Sequence, residues 1–357
     1  MSDVVAEVRG RTGLITLNRP KALNALSLGM VRQLAAALLA WRDDPAIEAV
    51  AIRGQGRDGA FGNFSAGGDI RFFHQAALAG NPELEDFFTE EYELNFIVDT
   101  FPKPYVSFLD GIVIGGGMGI AGHGRSGRRL RLVTERTKMS MPETQIGLFP
   151  DVGGGYFLPR CPGRLGEYLS LTCNVIGGAQ AVAAGLADAL VDSSHLPALW
   201  EALAEGGIAA FDKLLAPAAP QQGLFDNERI DRCFALATVP AIVAALQADG
   251  SPWAVETLEA VRKRSPLMQC VTLEQLRRGR SMTLAEVLRM ERDLVRHCFH
   301  LRPGQASETV EGIRALAIDK DNRPDWKPAR VEEVDPQEVA AFFASPWPAH
   351  AHPLRSL

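Results

Sequence analysis

The chain has 357 residues, 46% hydrophobic and 22% charged, with a formal net charge of -6; that is the balance of a folded globular protein with one large and one smaller domain and a sizeable core. A negative balance argues against a nucleic-acid binder, which needs clustered Lys and Arg, but leaves room for an anionic small molecule on a local basic patch. Cysteines 161, 173, 233, 270 and 298 are odd in number, scattered and without a CxxC pair, so they read as reduced thiols of a cytoplasmic protein and not as a disulfide frame or zinc site. The opening MSDVVAEVRG predicts no secretory leader. The longest apolar run, residues 105–121, is broken by Asp110 and several glycines and predicts no membrane span.

Residues 13–20 (GLITLNRP) and 46–54 (AIEAVAIRG) predict short buried strands stopped by turn residues. Between them LSLGMVRQLAAALLAWRD carries apolar residues at helical spacing, with Ser27 as N-cap. Residues 82–99 read as an acidic amphipathic helix, and residues 104–117 (PYVSFLDGIVIGGG) as one strand ending in glycines. Strands alternating with helices over the first 190 residues predict an α/β domain. Residues 176–215 are rich in Ala and Leu and read as helical, and APAAPQQG (216–223) as a linker. Beyond it only helices are predicted, one of them opened by a capping box of Thr283 and Glu286. The expected division is a core of residues 1–215, the linker 216–223 and a helical region 224–357.

Several motifs carry no function. GMGIAG (117–122) matches G-x-G-x-x-G, but the acid about twenty residues on would be Glu143, which follows Pro142 in a turn-like stretch and ends no strand. DKDNRPDWKPAR (319–330) opens like a calcium loop, yet Arg323 and Pro324 sit near its sharp turn and Arg330 replaces the final glutamate. His297 and His300 share a helix face without a third ligand nearby in sequence, and His350 and His352 read as a frayed tail. Neither a nucleophile elbow nor a P-loop occurs.

Two glycine clusters weigh more. SAGGDIR (65–71) and GIVIGGGMG (111–119) put glycine where backbone must approach something closely, and each leads into a helix. Free N–H groups at such places can hold an oxyanion. Tight turns for packing would explain either cluster alone. Downstream, SMPETQIGLFPDVGGGYFLPR (140–160) sets Glu143 and Asp151 among mostly apolar neighbours with Arg160 as the local cation.

These stretches, with GLITLNRPKALNALS (13–27) and EGIRALAIDKDNRPDWKPARVEEV (311–334), resemble the crotonase, or enoyl-CoA hydratase/isomerase, superfamily, and within it the thioester hydrolases. The resemblance implies a crotonase-like spiral of ββα units with a helical C-terminal region packing over the active site. It implies an oxyanion hole from the backbone N–H groups of Ala66 and Gly116, and a substrate lined by Gly67, Gly68, Asp69 and Glu91. The hydratases of the superfamily use two glutamates; Gly119 stands at the first position and Glu143 at the second. One glutamate cannot do the paired acid–base work of adding water to a double bond. The implied activity is therefore hydrolysis of an acyl-CoA, with enoyl-CoA hydratase or isomerase as the alternative. Glu143 would attack the thioester or activate water; Asp151 would contact a substrate hydroxyl, move a proton, or both. Two close carboxylates in an apolar setting should have raised or split pKa values. Lys21 and Arg71 are candidates for the phosphates of CoA, with Arg125, Arg128, Arg129 and Arg131 as a rival set. Coenzyme A enters as part of the substrate, no separate cofactor or metal is implied, and a homo-oligomer is compatible. The stretches 61–65 and 124–131 are longer than the resemblance leads one to expect, which leaves the preferred acyl group open.

Overall fold

The computed structural model describes residues 2–123, 128–219, 221 and 223–357. Its residues divide into a first unit, Met1–Gly68, Glu93–Ser140 and Val175–Phe225, and a second, Asp69–Tyr92, Met141–Asn174 and Asp226–Leu357. Among the described residues no helix is long and apolar enough to cross a membrane.

The first unit holds the strands: β1 (Val4–Arg9), β2 (Thr12–Leu17), β3 (Ala49–Gly54), β4 (Tyr105–Leu109), β5 (Ile112–Ile114), β6 (Arg129–Val133), β7 (Lys138–Ser140), β8 (Ile176–Gly177) and β9 (Ala189–Leu190). One sheet runs β1-β2-β3-β4-β6-β9, the other β5-β7-β8. In the larger sheet β1 and β2 pair antiparallel and every later pair is parallel. Parallel strands covered on both faces need near-continuous apolar sequence, and β2, β3 and β4 are buried almost throughout. β1, an edge strand with mostly exposed side chains, lacks that signature. The helix Leu196–Leu214 lays Leu199, Trp200, Leu203 and Phe211 on the core of Leu14, Ala51, Val106 and Phe108. On the helix Leu28–Arg42, capped by Ser27 Oγ as expected, Trp41 lies against β2. A Cβ on Gly13 would meet the Trp41 ring at 2.4 Å, so that close approach requires glycine.

The stretch 104–117 is not one strand. It breaks at Asp110 and Gly111 into β4 and β5, which belong to different sheets. Gly111 has φ +59°, and the buried Asp110 accepts from Thr134 Oγ1 at 2.6 Å and Arg136 Nε at 3.0 Å. A charged, bonded corner therefore overrides the strand propensity on both sides. Residues 176–215 are likewise not continuously helical. β8 and β9 interrupt them near Gly177 and Gly185, and Gly207 kinks the helix Leu196–Leu214 with φ 67° and ψ -167°.

The second unit is helical, and its composition corrects the expected division. Residues 69–92 and 141–174 group with the C-terminal helices, not with residues 1–68. The cause is backbone contact in the second unit. Ser265 N–H donates to Thr144 O at 2.9 Å, Thr309 Oγ1 to Gly147 O at 2.6 Å, and the helix Pro266–Gly279 ends with Gly279 against Gly155. The capping box of Thr283 and Glu286 opens the helix Leu284–His300 as predicted. The tail is not frayed around His352. His352 and Leu354 are buried, Leu354 N–H donates to His352 Nδ1 at 3.0 Å, and Arg289 Nε donates to Leu354 O at 3.2 Å. In the stretch resembling a calcium loop, Asp319 and Asp321 accept from Arg314 at 2.6 and 2.8 Å.

A Cβ on Gly279 would lie 1.9 Å from Gly155 O, a backbone atom that no side-chain rotation can move away. Gly279→Ala should therefore cost about 2–3 kcal/mol by overpacking, read as a lowered urea midpoint. Gly59→Ala, where a Cβ would meet nothing within 4 Å, should stay within about 0.5 kcal/mol of the wild type.

Candidate active site

The first unit brings the two glycine clusters together. Ser65 pairs with Val113, donating its N–H to Ile112 O and accepting from Ile114 N–H, both at 3.0 Å. Successive amides of an extended segment point to opposite sides, so the N–H of Ala66 faces the other way and donates to Leu23 O at 3.0 Å. That amide is already satisfied. Ala66 is thus not the oxyanion donor that the resemblance implied. Gly67 turns with φ +87° and donates to Ser65 Oγ at 3.2 Å. A Cβ there would lie 2.9 Å from Ile114 O and 3.1 Å from Gly116 N, and one on Gly117 would lie 2.7 Å from Ser65 O. The loops meet with backbone close to backbone. Neither the N–H of Gly68 nor that of Gly116 has a partner among the described residues.

The second unit gathers the acids. Pro142 leads into the tight turn Glu143–Ile146, where Leu148 N–H donates to Glu143 O at 2.9 Å. The Glu143 side chain is 6% exposed and its Oε2 has no hydrogen-bond partner. Glu91, on the helix Glu83–Thr100, is 2% exposed with Oε1 likewise unpartnered. Asp151 Oδ2 accepts from the buried Tyr92 hydroxyl at 2.8 Å. After it Val152 and Gly153 both have positive φ, 52° and 89°. For a β-branched residue this conformation costs about 1–3 kcal/mol, so the turn needs outside support. Glu291 gives it. Its Oε2 accepts from Gly153 N–H and its Oε1 from Gly155 N–H, each at 2.8 Å, and Oε1 also accepts from Gln275 Nε2 at 3.0 Å.

Burial governs the protonation of all four acids. It pushes Glu143 well above the usual carboxyl range, and the charge of Asp151 adds to the effect. Glu91 rises well above it for the same two reasons in the same order. Burial lifts Asp151 to about 7 while the Tyr92 hydrogen bond pulls it back, and lifts Glu291 to about 8 against the pull of the two glycine amides. Among the described residues no Lys, Arg or His forms an ion pair with any of the four, and no group of three or more His, Cys, Asp or Glu could hold a metal.

The remaining predicted residues have other surroundings. Asp69 caps the helix Ile70–Ala79 by accepting from Phe72 N–H at 3.4 Å. Lys21 and Arg71 are exposed. Of the rival basic set, Arg125 lies outside the described residues. Arg128 is paired with Asp212 at 2.6 Å, Arg129 donates to Phe101 O at 2.5 Å, and Arg131 is paired with Asp188 at 2.9 Å. These three serve local structure. Tyr92, Gln275 and Glu291 were missed. A signal for Glu291 was present, because it interrupts the apolar stripe of Val287, Leu288, Leu294, Val295 and Cys298, all buried.

Residues 12–343 match the family described as enoyl-CoA hydratase/isomerase. The chain is 42% identical to the mitochondrial 3-hydroxyisobutyryl-CoA hydrolase of Rattus norvegicus, over 96% of this chain and 89% of that protein. It is 41% identical to the enzyme of the same name from Homo sapiens, with the same two coverages. A solved enoyl-CoA hydratase from Rhodobacter sphaeroides is similar with a TM-score of 0.87 at 40% identity, covering 97% of this chain and 98% of that one. A carnitinyl-CoA dehydratase from Mycobacterium thermoresistibile gives 0.86 at 39%, covering 96% and 97%. On these matches the chain belongs to the enoyl-CoA hydratase/isomerase, or crotonase, family.

Proposed function

We propose that the chain is an acyl-CoA thioester hydrolase that converts 3-hydroxyisobutyryl-CoA to 3-hydroxyisobutyrate and CoA, a step of valine breakdown. The observation that carries this reading is Glu143: a buried carboxyl with an unpartnered oxygen, beside Asp151 and without a cation. The relatives named as hydrolases support it, and so does Gly119, which stands at the position of the first glutamate of the hydratases.

The chemistry requires two parts, donors for the carbonyl oxygen and a nucleophile or base for the carbonyl carbon. The carbonyl oxygen takes hydrogen bonds from the amides of Gly68 and Gly116, donors that need no reorganisation as the oxygen becomes negative. Each such donor is worth about 3–4 kcal/mol in the transition state. Ionised Glu143 then either bonds to the carbonyl carbon, breaking the C–S bond and leaving an anhydride that water opens, or takes a proton from the water that attacks. Both routes end in a free thiol and a carboxylic acid. Asp151, lifted to about 7, gives or takes a proton near neutrality and offers an acceptor to the substrate's 3-hydroxyl, while Glu91 faces the same group. In this reading Lys21 and Arg71 serve the phosphates of CoA, and no separate cofactor takes part. Five cysteines, none of them in a disulfide, fit a reducing compartment, the cytoplasm in our reading.

Incubation with 3-hydroxyisobutyryl-CoA should release free thiol, whereas crotonyl-CoA should keep its enoyl absorbance. The reverse pattern would establish a hydratase and overturn the assignment. Glu143→Ala should lower kcat for thiol release by about 10²–10⁴-fold with an unchanged melting temperature; retained activity would remove Glu143 from the mechanism.

The pH dependence has a defined sign. Glu143 works ionised and its folded pKa is raised, so kcat/KM should climb with pH along a limb lying well above the ordinary carboxyl value of about 4.3. Asp151→Asn removes a charge that raises the Glu143 pKa. The residual activity of that variant should therefore show its acidic limb at lower pH than the wild type. Profiles of kcat/KM between pH 4 and 9 test this, and superimposable limbs would contradict it.

A further inference from the structure

The helix Leu284–His300 carries two adjacent buried polar side chains, Glu291 and Arg292, at 0% and 2% exposure. Neither belongs to the reacting set. Glu291 takes the amides of Gly153 and Gly155, which follow Asp151 by two and four residues. Arg292 forms an ion pair with Glu85 and donates from Nε to Thr89 Oγ1 at 2.9 Å. On the same helix Thr89 lies within one turn before Glu91 and Tyr92, and Glu85 lies about two turns before them. The two segments gripped in this way are the ones joined by the 2.8 Å hydrogen bond from Tyr92 to Asp151. Gln275 reinforces the first grip. Its Nε2 donates to Pro150 O at 2.7 Å as well as to Glu291.

We propose that Glu291 and Arg292 are positioning residues of the acid cluster. Glu291 fixes the turn that carries Asp151, Arg292 fixes the helical turn that carries Glu91 and Tyr92, and their adjacency on one helix sets the Tyr92–Asp151 distance. The turn after Asp151 has one bond of its own, from Gly154 N–H to Asp151 O at 2.7 Å, and leaves the amides of Gly153 and Gly155 to an outside acceptor. Two successive residues of positive φ leave amides that need a fixed acceptor, and a Cβ on Gly155 would already lie 3.1 Å from Glu291 Oε1 and Gln275 Nε2. An uncharged amide at position 291 would set its NH₂ against one of the two glycine amides or give up one of the bonds. A lysine at 292 keeps the charge but not the forked geometry that reaches Glu85 and Thr89 together. Either change shifts one half of the Tyr92–Asp151 pair against the other.

The test is a double-mutant cycle on thiol release, built from Glu291→Gln, Tyr92→Phe and their combination. Misplacement of about 1 Å costs up to ~10²-fold in rate, so Glu291→Gln should lower kcat by about 10- to 100-fold while KM stays within about threefold. Tyr92→Phe should lower kcat in the wild type but add less than about twofold in the Glu291→Gln background, because the bond it removes is already lost. Arg292→Lys in place of Glu291→Gln should give the same pattern. Effects that multiply in full in both cycles would overturn the proposal. So would a kcat per folded molecule equal to the wild type, or loss of the cooperative melt in both Glu291→Gln and Arg292→Lys, since these residues would then serve the fold alone. The proposal rests on the hydrolase reading for its assay. If the wild type releases no thiol, that reading fails and the cycle is scored on the turnover of crotonyl-CoA. Thiol release with fully multiplying effects sinks the positioning roles alone.

Discussion

Four carboxyl groups withdrawn from water without a cation are the constraint on which the second unit depends. A buried, isolated carboxylate is unfavourable by several kcal/mol, and the structure answers in two ways. For Glu291 and Asp151 it offers N–H and O–H donors, two glycine amides and Gln275 for one and Tyr92 for the other. For Glu91 and Glu143 it offers nothing to one oxygen each, and burial raises their pKa values well above the carboxyl range, whereas at Asp151 and Glu291 the donors pull against the same rise. One pair is thus held by donors of the chain itself, and the other keeps one oxygen each without a donor among the described residues.

This division explains why the chain visits the second unit three times. Residues 69–92, 141–174 and 226–357 each supply a part that the others cannot: Glu91 and Tyr92, then Glu143 and Asp151, then Gln275 and Glu291. The donors that make the cluster tolerable lie far from the acids in sequence, with 59 residues between Tyr92 and Asp151 and 138 between Gly153 and Glu291. Glycine makes the contacts possible, because side chains at 155 and 279 would occupy the space in which the backbones meet.

The same distances mark what could be read from sequence. Local signals were reliable: the Ser27 cap, the box of Thr283 and Glu286, and the buried strands β2 and β3 each depend on neighbours a few residues away. Glu143 and Asp151 were legible because acids in an apolar, proline- and glycine-rich loop contradict the local environment. Tyr92, Gln275 and Glu291 were not, because their role lies in a partner contributed by another segment. The division at 216–223 failed for that reason too. A composition break marks a change along the chain, whereas the units are set by which segments pack together. At 104–117 hydrophobicity favoured one strand, and the corner at Asp110 depended on Thr134 and Arg136, outside any local window. The exchange of Ala66 for Gly68 has a narrower cause. Both stand in an SAGGD run, and only the pairing of Ser65 with Val113 decides which amide turns inward to Leu23.

Solved relatives named as a hydratase and a dehydratase share about two fifths of this sequence, as do the hydrolases. Charge adds to the support that the hydrolases give. Adding water across a double bond asks one group to deliver a proton to carbon while another takes one from water, which suits two carboxyls whose pKa values are held apart around one water. Here Gly119 removes the first of those carboxyls, and the acid nearest to Glu143 in effect is Asp151, tied to Tyr92 and lifted to about 7. A group restrained in that way is suited to holding a hydroxyl and passing a proton between oxygens or to a departing thiolate. Among the described residues Glu143 and Glu91 are the two acids of the cluster that keep an oxygen without a partner, and opening a thioester needs only one nucleophile or base.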